Sequence, residues 1–342
     1  MSAGSADFRP IALSMGEPAG VGLELALALW TAREAAGLPP FIAIGDPAAF
    51  ADRARLIGLD VPVVESEPEG APALFGERFP VLPVGTACRA EPGRPDMRDA
   101  GTVIESIRMS VELVHGGRCS ALTTLPIAKA PLLAAGFEHP GHTEFLGALA
   151  ARLWSCPGRA VMLLWAEELA VVPVTVHVPL VRACATLSTD EIVETSRVVA
   201  RDLARRFRIE RPRLAIAGLN PHAGESGRLG AEDEAIVAPA VERLKSEGID
   251  ASGPYPADTM FHASARARYD AAICMYHDQA LIPVKTLAFD RAVNVTLGLP
   301  FVRTSPDHGT AFDIAGTGTG TPASLLAALG LAARLSREPV LA

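Results

Sequence analysis

Three histidines each follow shortly after an apolar segment of the chain: His177, His222 and His277. The apolar segments are typical of buried strands, and open α/β sheets bind their ligands at the carboxyl ends of the strands. Three imidazoles suit a divalent ion such as Zn²⁺, Co²⁺ or Mn²⁺, with positions left open for a substrate. Their separations of 45 and 55 residues match no short metal-binding motif. Taken alone, each is more typical of a hydrogen-bonded structural histidine, so the metal site is a hypothesis.

Further polar residues extend this candidate site. Asp258 and Asp278 are able to orient imidazole rings and fix their tautomers, although Asp278 could instead cap the turn that follows it. The same stretch of chain brings two cations and an amide that are able to hold an anionic substrate beside a metal or a redox centre: Lys285, Asn294 and Arg303. The two cations could equally be solvated surface charges.

Two loops have the small-residue character needed for close approach to a flat ligand. The first, residues 16–22, contains Gly16 and Gly20 in a G-x-x-x-G-x-G pattern. Because this differs from the G-x-G-x-x-G dinucleotide fingerprint, a tight turn and a cofactor-facing loop both remain open. The second, residues 307–316, contains three candidate ligand contacts: His308, Gly309 and Asp313.

A polar cluster at a predicted strand-to-helix junction contains His142 and Thr143, preceded by Gly141. Side chains and backbone N–H groups at such a junction are in position to bind an anion. The alternative is that Thr143 caps the helix that follows. The pattern alone favours neither interpretation.

Composition bounds the class of protein. With 342 residues, 49% apolar and 20% charged, the chain can form two domains or one large α/β unit. No apolar run reaches the roughly 18 residues of a membrane span, and the N-terminus lacks an export signal, so we expect a soluble cytoplasmic protein. The net charge of −8 argues against general nucleic-acid or membrane binding. The scattered cysteines are expected to be reduced: Cys88, Cys119, Cys156, Cys184 and Cys274.

Strands alternate with helices along the chain, which predicts a mostly parallel α/β/α sandwich. Two apolar segments, residues 160–165 and 169–176, instead predict a β-hairpin of the kind that often builds a subunit interface. Ser188 and Glu191 form a capping box that opens a long amphipathic helix. Residues 253–259 predict a rigid loop.

Six motifs, in this order along residues 11–330, together resemble the 4-hydroxythreonine-4-phosphate dehydrogenase family of pyridoxal phosphate biosynthesis: Gly-Glu-Pro-Ala-Gly-Val-Gly (16–22), Gly-His-Thr-Glu-Phe (141–145), Asn-Pro-His-Ala-Gly-Glu (220–225), Pro-Ala-Asp-Thr (256–259), Tyr-His-Asp-Gln (276–279) and Asp-His-Gly-Thr-Ala (307–311). More distantly, the chain is similar to the isocitrate/isopropylmalate dehydrogenase fold. The resemblance implies two α/β/α domains with an interdomain cleft, residues 1–135 with 285–342 on the cofactor side and residues 136–284 carrying the histidines. It also implies a homodimer with shared active sites.

The resemblance also implies roles for individual residues. His177, His222 and His277 match the family's divalent-metal ligands. The positions that match its substrate contacts are His142, Thr143, Lys285, Asn294 and Arg303. Those expected to act in catalysis are Lys285, Asp258 and Asp278. The expected cofactor contacts are Gly16, Gly20, His308, Gly309 and Asp313.

The implied reaction is the NAD- or NADP-linked oxidation of 4-phosphohydroxy-L-threonine to a β-keto acid, which decarboxylates to 3-amino-2-oxopropyl phosphate. A divalent ion (Zn, Co, Mg or Mn) would assist by polarising the reacting oxygens. Leu125 and Asp290 depart from the family's usual glycines and leave other substrates open. These are 4-phospho-erythronate, 4-phospho-threonate or a dihydrodiol. A non-catalytic protein that binds a metal or a sugar phosphate is the alternative from another class.

Overall fold

A computed structural model describes residues 9–139, 141–155 and 159–337 of the protein. The chain divides into two compact units, one made of residues 1–158 with 299–342 and the other of residues 159–298. Among the described residues, no helix is long and apolar enough to span a membrane. Four cysteines are free thiols, as expected, and Cys156 lies outside the described residues: Cys88, Cys119, Cys184 and Cys274.

The strands, in chain order, are β1 (Ile11–Ser14), β2 (Phe41–Gly45), β3 (Val63–Glu65), β4 (Phe79–Pro83), β5 (Leu122–Thr124), β6 (Val161–Ala166), β7 (Leu169–Thr175), β8 (Arg213–Ala217), β9 (Asp250–Tyr255), β10 (Ala271–Tyr276), β11 (Val293–Leu297) and β12 (Arg303–Pro306). The α-helices are α1 (Gly22–Thr31), α2 (Pro47–Leu56), α3 (Ala71–Leu74), α4 (Ala100–His115), α5 (Lys129–Ala134), α6 (His142–Trp154), α7 (Leu180–Thr186), α8 (Thr189–Arg205), α9 (Ala238–Ser246), α10 (Ala263–Arg266), α11 (His277–Ala288) and α12 (Ala323–Ser336). Shorter 3₁₀ turns span Met97–Asp99, Pro221–Gly224 and Ala257–Thr259, and a π-helical turn spans Asp233–Val237.

The first unit contains a sheet whose described strands follow the order β3-β4-β2-β1-β5-β12. All neighbouring pairs in it are parallel. Every residue of β1 and β2 is buried, as expected for a parallel sheet, which is covered on both faces. The predicted alternation of strands and helices is therefore confirmed in this unit.

The second unit contains the order β11-β6-β7-β10-β8-β9. The strand β6 runs antiparallel to β7 and to β11, which confirms the predicted hairpin. From β7 through β10 and β8 to β9 the pairing is parallel. The strand β10 lies in the middle of this parallel part, and its residues are buried up to Met275.

One of the two bonds of the predicted capping box is observed at the start of α8, while the carboxylate of Glu191 pairs with Arg159. The hydroxyl of Ser188 accepts a hydrogen bond of 3.2 Å from the backbone N–H of Glu191. The helix buries the predicted apolar face, in which Ile192 and Leu203 are almost fully covered. This helix is fixed by a local sequence signal and a stripe of apolar residues acting together.

Two strands differ from the prediction. Residues 253–259 are not a single rigid loop, because β9 continues to Tyr255. The strand lies at the edge of the sheet, where the missing N–H of Pro254 is tolerated. The sequence pattern also does not predict β12, since Arg-Thr-Ser-Pro has no apolar residue. It is nevertheless buried beside β5.

The boundaries of the compact units, near residues 158 and 299, differ from those expected at residues 135 and 285. As a result, His142 and Thr143 belong to the first unit, whereas Lys285 and Asn294 belong to the second. The domain boundaries inferred from the resemblance stay a prediction.

We predict that Gly298→Ala lowers the free energy of unfolding by about 2–4 kcal/mol. A Cβ atom there would lie 1.9 Å from the carbonyl oxygen of Arg159, and the φ angle of Gly298 is +83°. The matched control is Gly330→Ala in α12, where a Cβ atom meets nothing within 4 Å. The control should stabilise the protein by up to about 1 kcal/mol. Urea denaturation of both variants measures the difference, and equal effects would contradict the prediction.

Candidate active site

The carboxyl ends of β7 and β10 bring two of the three histidines together. These strands are parallel neighbours, with Thr175 paired to Tyr276, so the residues that follow them leave the sheet side by side. The ring centroids of His177 and His277 are 5.6 Å apart. Two imidazoles that bind one ion at about 2.1 Å have centroids roughly 5 Å apart. The pair therefore has a spacing that suits two ligands of one ion.

His277 is oriented by its neighbour in sequence. The Nδ1 atom of His277 lies 2.7 Å from Oδ1 of Asp278. With the proton on Nδ1, the carboxylate accepts the hydrogen bond and leaves the lone pair of Nε2 available to a metal. The alternative that Asp278 caps the helix is wrong, because Tyr276 occupies the N-cap position of α11 and the described chain forms no side-chain cap bond there.

A pocket of about 200 Å³ opens beside the pair, within the second unit. It is lined by Thr175, His177, Val178, Leu180, Ala183, Tyr276, His277 and Asp278. Apolar side chains thus stand beside two imidazoles and a carboxylate. This mixture suits a small ligand that is held by a few directional contacts in a partly apolar cavity.

His222 lies on an unusual turn of the same unit. Residues 222–227 all have positive φ angles, between +42° and +79°. Four of the six are not glycine, and left-handed backbone costs such residues roughly 1–2 kcal/mol each. His222 itself is exposed.

The metal prediction is met only in part within one chain. Among residues 9–139, 141–155 and 159–337, no group of three His, Cys, Asp or Glu side chains could hold an ion. The single chain therefore brings His177 and His277 together without a third such ligand. The role of His222 stays a prediction.

The remaining predicted residues of the second unit are spread over three elements. Asp258 is exposed in the 3₁₀ turn Ala257–Thr259. Lys285 is half-buried two turns along α11 from His277, about 12 Å along the helix axis. Asn294 is half-buried on β11, paired with Leu164. The helix α11 thus carries both a histidine of the pair and the predicted cationic substrate ligand.

In the first unit, positive charge gathers around the start of α6. His142 is the first residue of the helix and Gly141 its N-cap, so Thr143 is the second helical residue and the capping interpretation of Thr143 is wrong. Burial, and then the charges of Arg303 and Lys129, hold the pKa of His142 well below its usual value. The imidazole is therefore neutral at pH 7, and its Nε2 atom is buried without a partner among the described residues.

Arg303 is not a surface charge. It is 3% exposed on β12, and its Nη2 atom donates a hydrogen bond of 2.6 Å to the hydroxyl of Thr124 on β5. Burial lowers its pKa to about 10, which leaves the guanidinium charged at neutral pH. A buried cation beside a helix N-terminus is suited to an anionic group of a ligand.

Lys129 belongs to this cluster and was not singled out from the sequence. An ideal Cβ atom on Gly141 would lie 3.6 Å from its Nζ atom. The available signal is its place shortly after β5, at the carboxyl end of a parallel strand, where ligand sites occur. A second cation therefore reaches the start of α6.

The two small-residue loops contact each other in the first unit. The N–H of Val21 donates to the carbonyl of Thr310 at 2.8 Å. A Cβ atom on Gly20 would lie 3.0 Å from that carbonyl oxygen, and one on Gly16 would lie 2.5 Å from the carbonyl oxygen of Pro126. Both glycines are therefore required by packing, which supports the tight-turn interpretation.

Two of the three predicted cofactor residues of the second loop are exposed, whereas His308 is half-buried and its Nε2 atom is buried. Gly309 and Asp313 are exposed, and Nδ1 of His308 lies 2.9 Å from the carbonyl oxygen of Gly309. Thr310 of this loop is the residue that contacts Gly20 and Val21. The structure thus brings the five predicted cofactor positions into two touching loops.

A buried ion pair fixes the relation between these loops. Arg53 donates to the carbonyls of Gly20 at 2.7 Å and Pro18 at 2.8 Å, and its Nη1 atom lies 3.3 Å from Oε2 of Glu24. That carboxylate oxygen also accepts from the N–H of Gly316 at 2.6 Å. No sequence signal marks Arg53, because an arginine in a surface helix is usually solvated.

Comparison with known proteins supplies independent information. The family model of "Pyridoxal phosphate biosynthetic protein PdxA" matches residues 38–332. Proteins named 4-hydroxythreonine-4-phosphate dehydrogenase from Xanthobacter autotrophicus and Methylorubrum populi are each 57% identical. The first alignment covers 96% of this chain and 93% of the relative, and the second 98% and 97%.

A solved structure of a protein with the same name is also similar to this chain. The 4-hydroxythreonine-4-phosphate dehydrogenase of Klebsiella pneumoniae has a TM-score of 0.85 and 35% identity, covering 98% of this chain and 100% of that one. The fold is accordingly α/β with mostly parallel sheets, as the sequence predicts, and it is shared with the Klebsiella pneumoniae protein. Since the family model covers most of the chain, and relatives of over half identity cover nearly all of it, the chain belongs to the family of pyridoxal phosphate biosynthetic proteins PdxA.

Proposed function

We propose that the protein oxidises 4-phosphohydroxy-L-threonine with NAD or NADP, giving a β-keto acid that decarboxylates to 3-amino-2-oxopropyl phosphate. The observation that carries this proposal is the pair of His177 and His277 beside a pocket, in a chain whose relatives bear the name of this activity. We also infer a cytoplasmic location, where a biosynthetic enzyme would find its cofactor.

The metal ligands of the proposal are His177 and His277, joined by His222 from a second copy of the chain in a homodimer. Support comes from the exposure of His222 and from apolar surface around the pair. Such surface is typical of a subunit interface. Its exposed side chains are Val178, Leu180 and Val181, and α11 exposes two more apolar side chains farther from the pair, Ile282 and Phe289.

The ligand chemistry favours some ions over others. Imidazoles suit Zn²⁺, Co²⁺ or Mn²⁺, whereas Mg²⁺ prefers oxygen ligands. When bound, a divalent ion would supply Lewis-acid polarisation of the substrate's hydroxyl oxygen and later of its carbonyl oxygen. The protein would present imidazole nitrogens to this ion, and the contact of Asp278 with Nδ1 of His277 leaves Nε2 for that role.

The phosphate group of the substrate would be held by residues of the first unit. Arg303 supplies a charged donor, while neutral His142 and Thr143 offer hydrogen bonds at the start of α6. Lys285 and Asn294 are the proposed ligands of the remainder of the substrate. Contacts to a phosphate remote from the reacting carbon provide binding energy for orientation.

A small number of groups would take part in the chemical steps. A nicotinamide held against the two touching loops that carry Gly16, Gly20, His308, Gly309 and Asp313 would accept the hydride from the substrate carbon, and the hydroxyl proton would be released to solvent. Loss of carbon dioxide leaves an electron pair on the α-carbon. We assign to Nζ of Lys285 the proton that this carbon takes up. Asp278 holds the ring of His277 throughout, and Asp258 is assigned an orienting role in the assembled site.

The two departures from the family's usual residues have local explanations. Leu125 is fully buried and packs against Gly16 and Gly22. Asp290 is exposed, with its carboxylate 3.7 Å from the guanidinium of Arg291. Neither contact involves a proposed substrate residue, so these positions give no reason to prefer a paralogous substrate.

We predict that the protein reduces NAD⁺ or NADP⁺ with 4-phosphohydroxy-L-threonine, and that a chelator abolishes the reaction. Activity should return on addition of Co²⁺, Mn²⁺ or Zn²⁺. The measurement is absorbance of the reduced cofactor, with 4-phospho-erythronate, 4-phospho-threonate and a dihydrodiol as comparison substrates. Turnover of a comparison substrate alone would identify a paralogue. No cofactor reduction by any of them, with metal present, would leave only a binding protein.

We predict that His277→Ala abolishes turnover and weakens metal retention, while the melting temperature stays within a few degrees. His277 is partly exposed, so its loss removes a ligand without opening a core cavity. The matched control is His262→Ala, because His262 is exposed and bonds to Ser264 of its own turn. The control should keep full activity and metal content by elemental analysis. Normal turnover in His277→Ala excludes this residue as a ligand.

We predict that Arg303→Ala lowers kcat/KM for the phosphorylated substrate by a factor that corresponds to about 2–4 kcal/mol. Removing a buried cation that contacts a dianion costs more binding free energy than removing a solvated cation. Arg55→Ala serves as control, since Arg55 is exposed and pairs only with Asp52 among the described contacts. Steady-state kinetics with phosphorylated and unphosphorylated substrates separates the effects. An unchanged KM for the phosphorylated substrate would show that Arg303 does not bind the phosphate.

A further inference from the structure

The left-handed turn that carries His222 is held by one buried carboxylate. Asp233 is 1% exposed and begins the π-helical turn Asp233–Val237. Its Oδ1 atom accepts the N–H of Leu219 at 2.7 Å, and its Oδ2 atom accepts both the N–H and the side-chain amide of Asn220 at 3.0 Å. Three donors just before the left-handed residues therefore converge on one side chain.

The neighbouring glycines make room for this carboxylate. A Cβ atom on Gly218 would lie 2.9 Å from Oδ1 of Asp233, and one on Gly224 would lie 3.2 Å from the Cβ of Asp233. The carboxylate is thus enclosed by the backbone at both ends of the segment that leads through His222. A shorter or differently shaped side chain would leave the donors of residues 219 and 220 without this acceptor.

A second link joins the turn to the helix of His277. Gln279 is 8% exposed and stands two residues after His277. Its Oε1 atom accepts the N–H of Met275 at 2.7 Å, and its Nε2 atom donates to the carbonyl of Gly218 at 2.8 Å. The peptide between Gly218 and Leu219 is therefore bonded to Gln279 through its carbonyl and to Asp233 through its N–H, and the next N–H, of Asn220, also donates to Asp233.

Because His222 is exposed, the hydrogen bonds of Asp233 and Gln279 to the segment before it matter for where its imidazole lies. An exposed imidazole is placed by its backbone more than by side-chain packing, and left-handed backbone at non-glycine residues persists only when the surroundings enforce it. We propose that Asp233, assisted by Gln279, is a positioning residue that fixes His222 for metal binding. This inference rests on the proposed function, in which His222 is a ligand.

The test replaces Asp233 by Asn, which has nearly the same shape. Only one of its two polar atoms accepts hydrogen bonds, so an N–H₂ group faces the donors of Leu219 or Asn220. The matched control is Glu232→Gln, the same change one residue earlier. Glu232 is exposed and bonds to the side chain of Asn220 at 2.9 Å, where water can replace it. Both variants are made in the full-length protein.

Two measurements are made on each variant. Hydrogen exchange of peptides covering residues 218–230, without metal, reports whether the turn is held. Titration with Co²⁺, followed by its visible absorption, reports the ligand set. We expect Asp233→Asn to exchange at least tenfold faster and to bind Co²⁺ at least tenfold more weakly, with Glu232→Gln like the parent. Gln279→Glu keeps the acceptor for the N–H of Met275 and loses the donor to the carbonyl of Gly218. It should change the exchange rate and the Co²⁺ affinity in the same directions. This variant replaces Asp233→Asn in the test if Asp233→Asn does not fold.

The other outcomes are decisive as well. If exchange rises but Co²⁺ affinity is unchanged, Asp233 has only a structural role and the inference is overturned. If neither changes relative to Glu232→Gln, it is overturned too. His222→Ala separates the two proposals. If this variant binds Co²⁺ like the parent, the proposed ligand set is wrong, and Asp233 positions no metal ligand.

Discussion

The parallel pairing of β7 with β10 is the constraint on which the candidate site depends. Because Thr175 is paired with Tyr276, the chain leaves both strands at one level of the sheet, and His177 and His277 emerge next to each other. A shift of one residue in either strand would turn the side chains to opposite faces. The spacing of the two rings is thus set by register, and register is set by the apolar residues that β10 buries between its two neighbours.

The chain has a net charge of −8, so an anionic substrate must be attracted by individual cations near its binding site. The overall field repels an anionic substrate, so attraction has to come from cations with little solvent around them. Arg303 satisfies this condition because it is buried within a sheet. His142, whose pKa is lowered by burial and by the neighbouring cations, contributes hydrogen bonds without adding a charge that would repel Arg303. An arrangement of one buried cation, one neutral imidazole and a helix N-terminus is able to bind a phosphate without relying on the long-range field.

Much of the fold follows from the sequence because its signals are local. Apolar runs predict β10 and the β6–β7 hairpin, and the capping box predicts α8. The strand β12 escapes prediction because Arg-Thr-Ser-Pro becomes a strand only through pairing with β5. The histidines of the site are recognisable from their places after strands, whereas Arg53, Asp233 and Gln279 are not. These three bond to backbone groups of distant segments, and such partners leave no pattern in nearby sequence.

The energetics of the His222 turn show why a buried carboxylate is placed there. Four non-glycine residues in left-handed backbone cost together roughly 4–8 kcal/mol. Three hydrogen bonds to the buried carboxylate of Asp233 offset part of this cost. The turn is therefore supported before any ligand arrives. A ligand that binds a turn already in place does not have to order it, so more of the interaction energy remains as affinity. For an exposed histidine on an irregular segment, pre-organisation by the backbone takes the place that side-chain packing has for a buried residue.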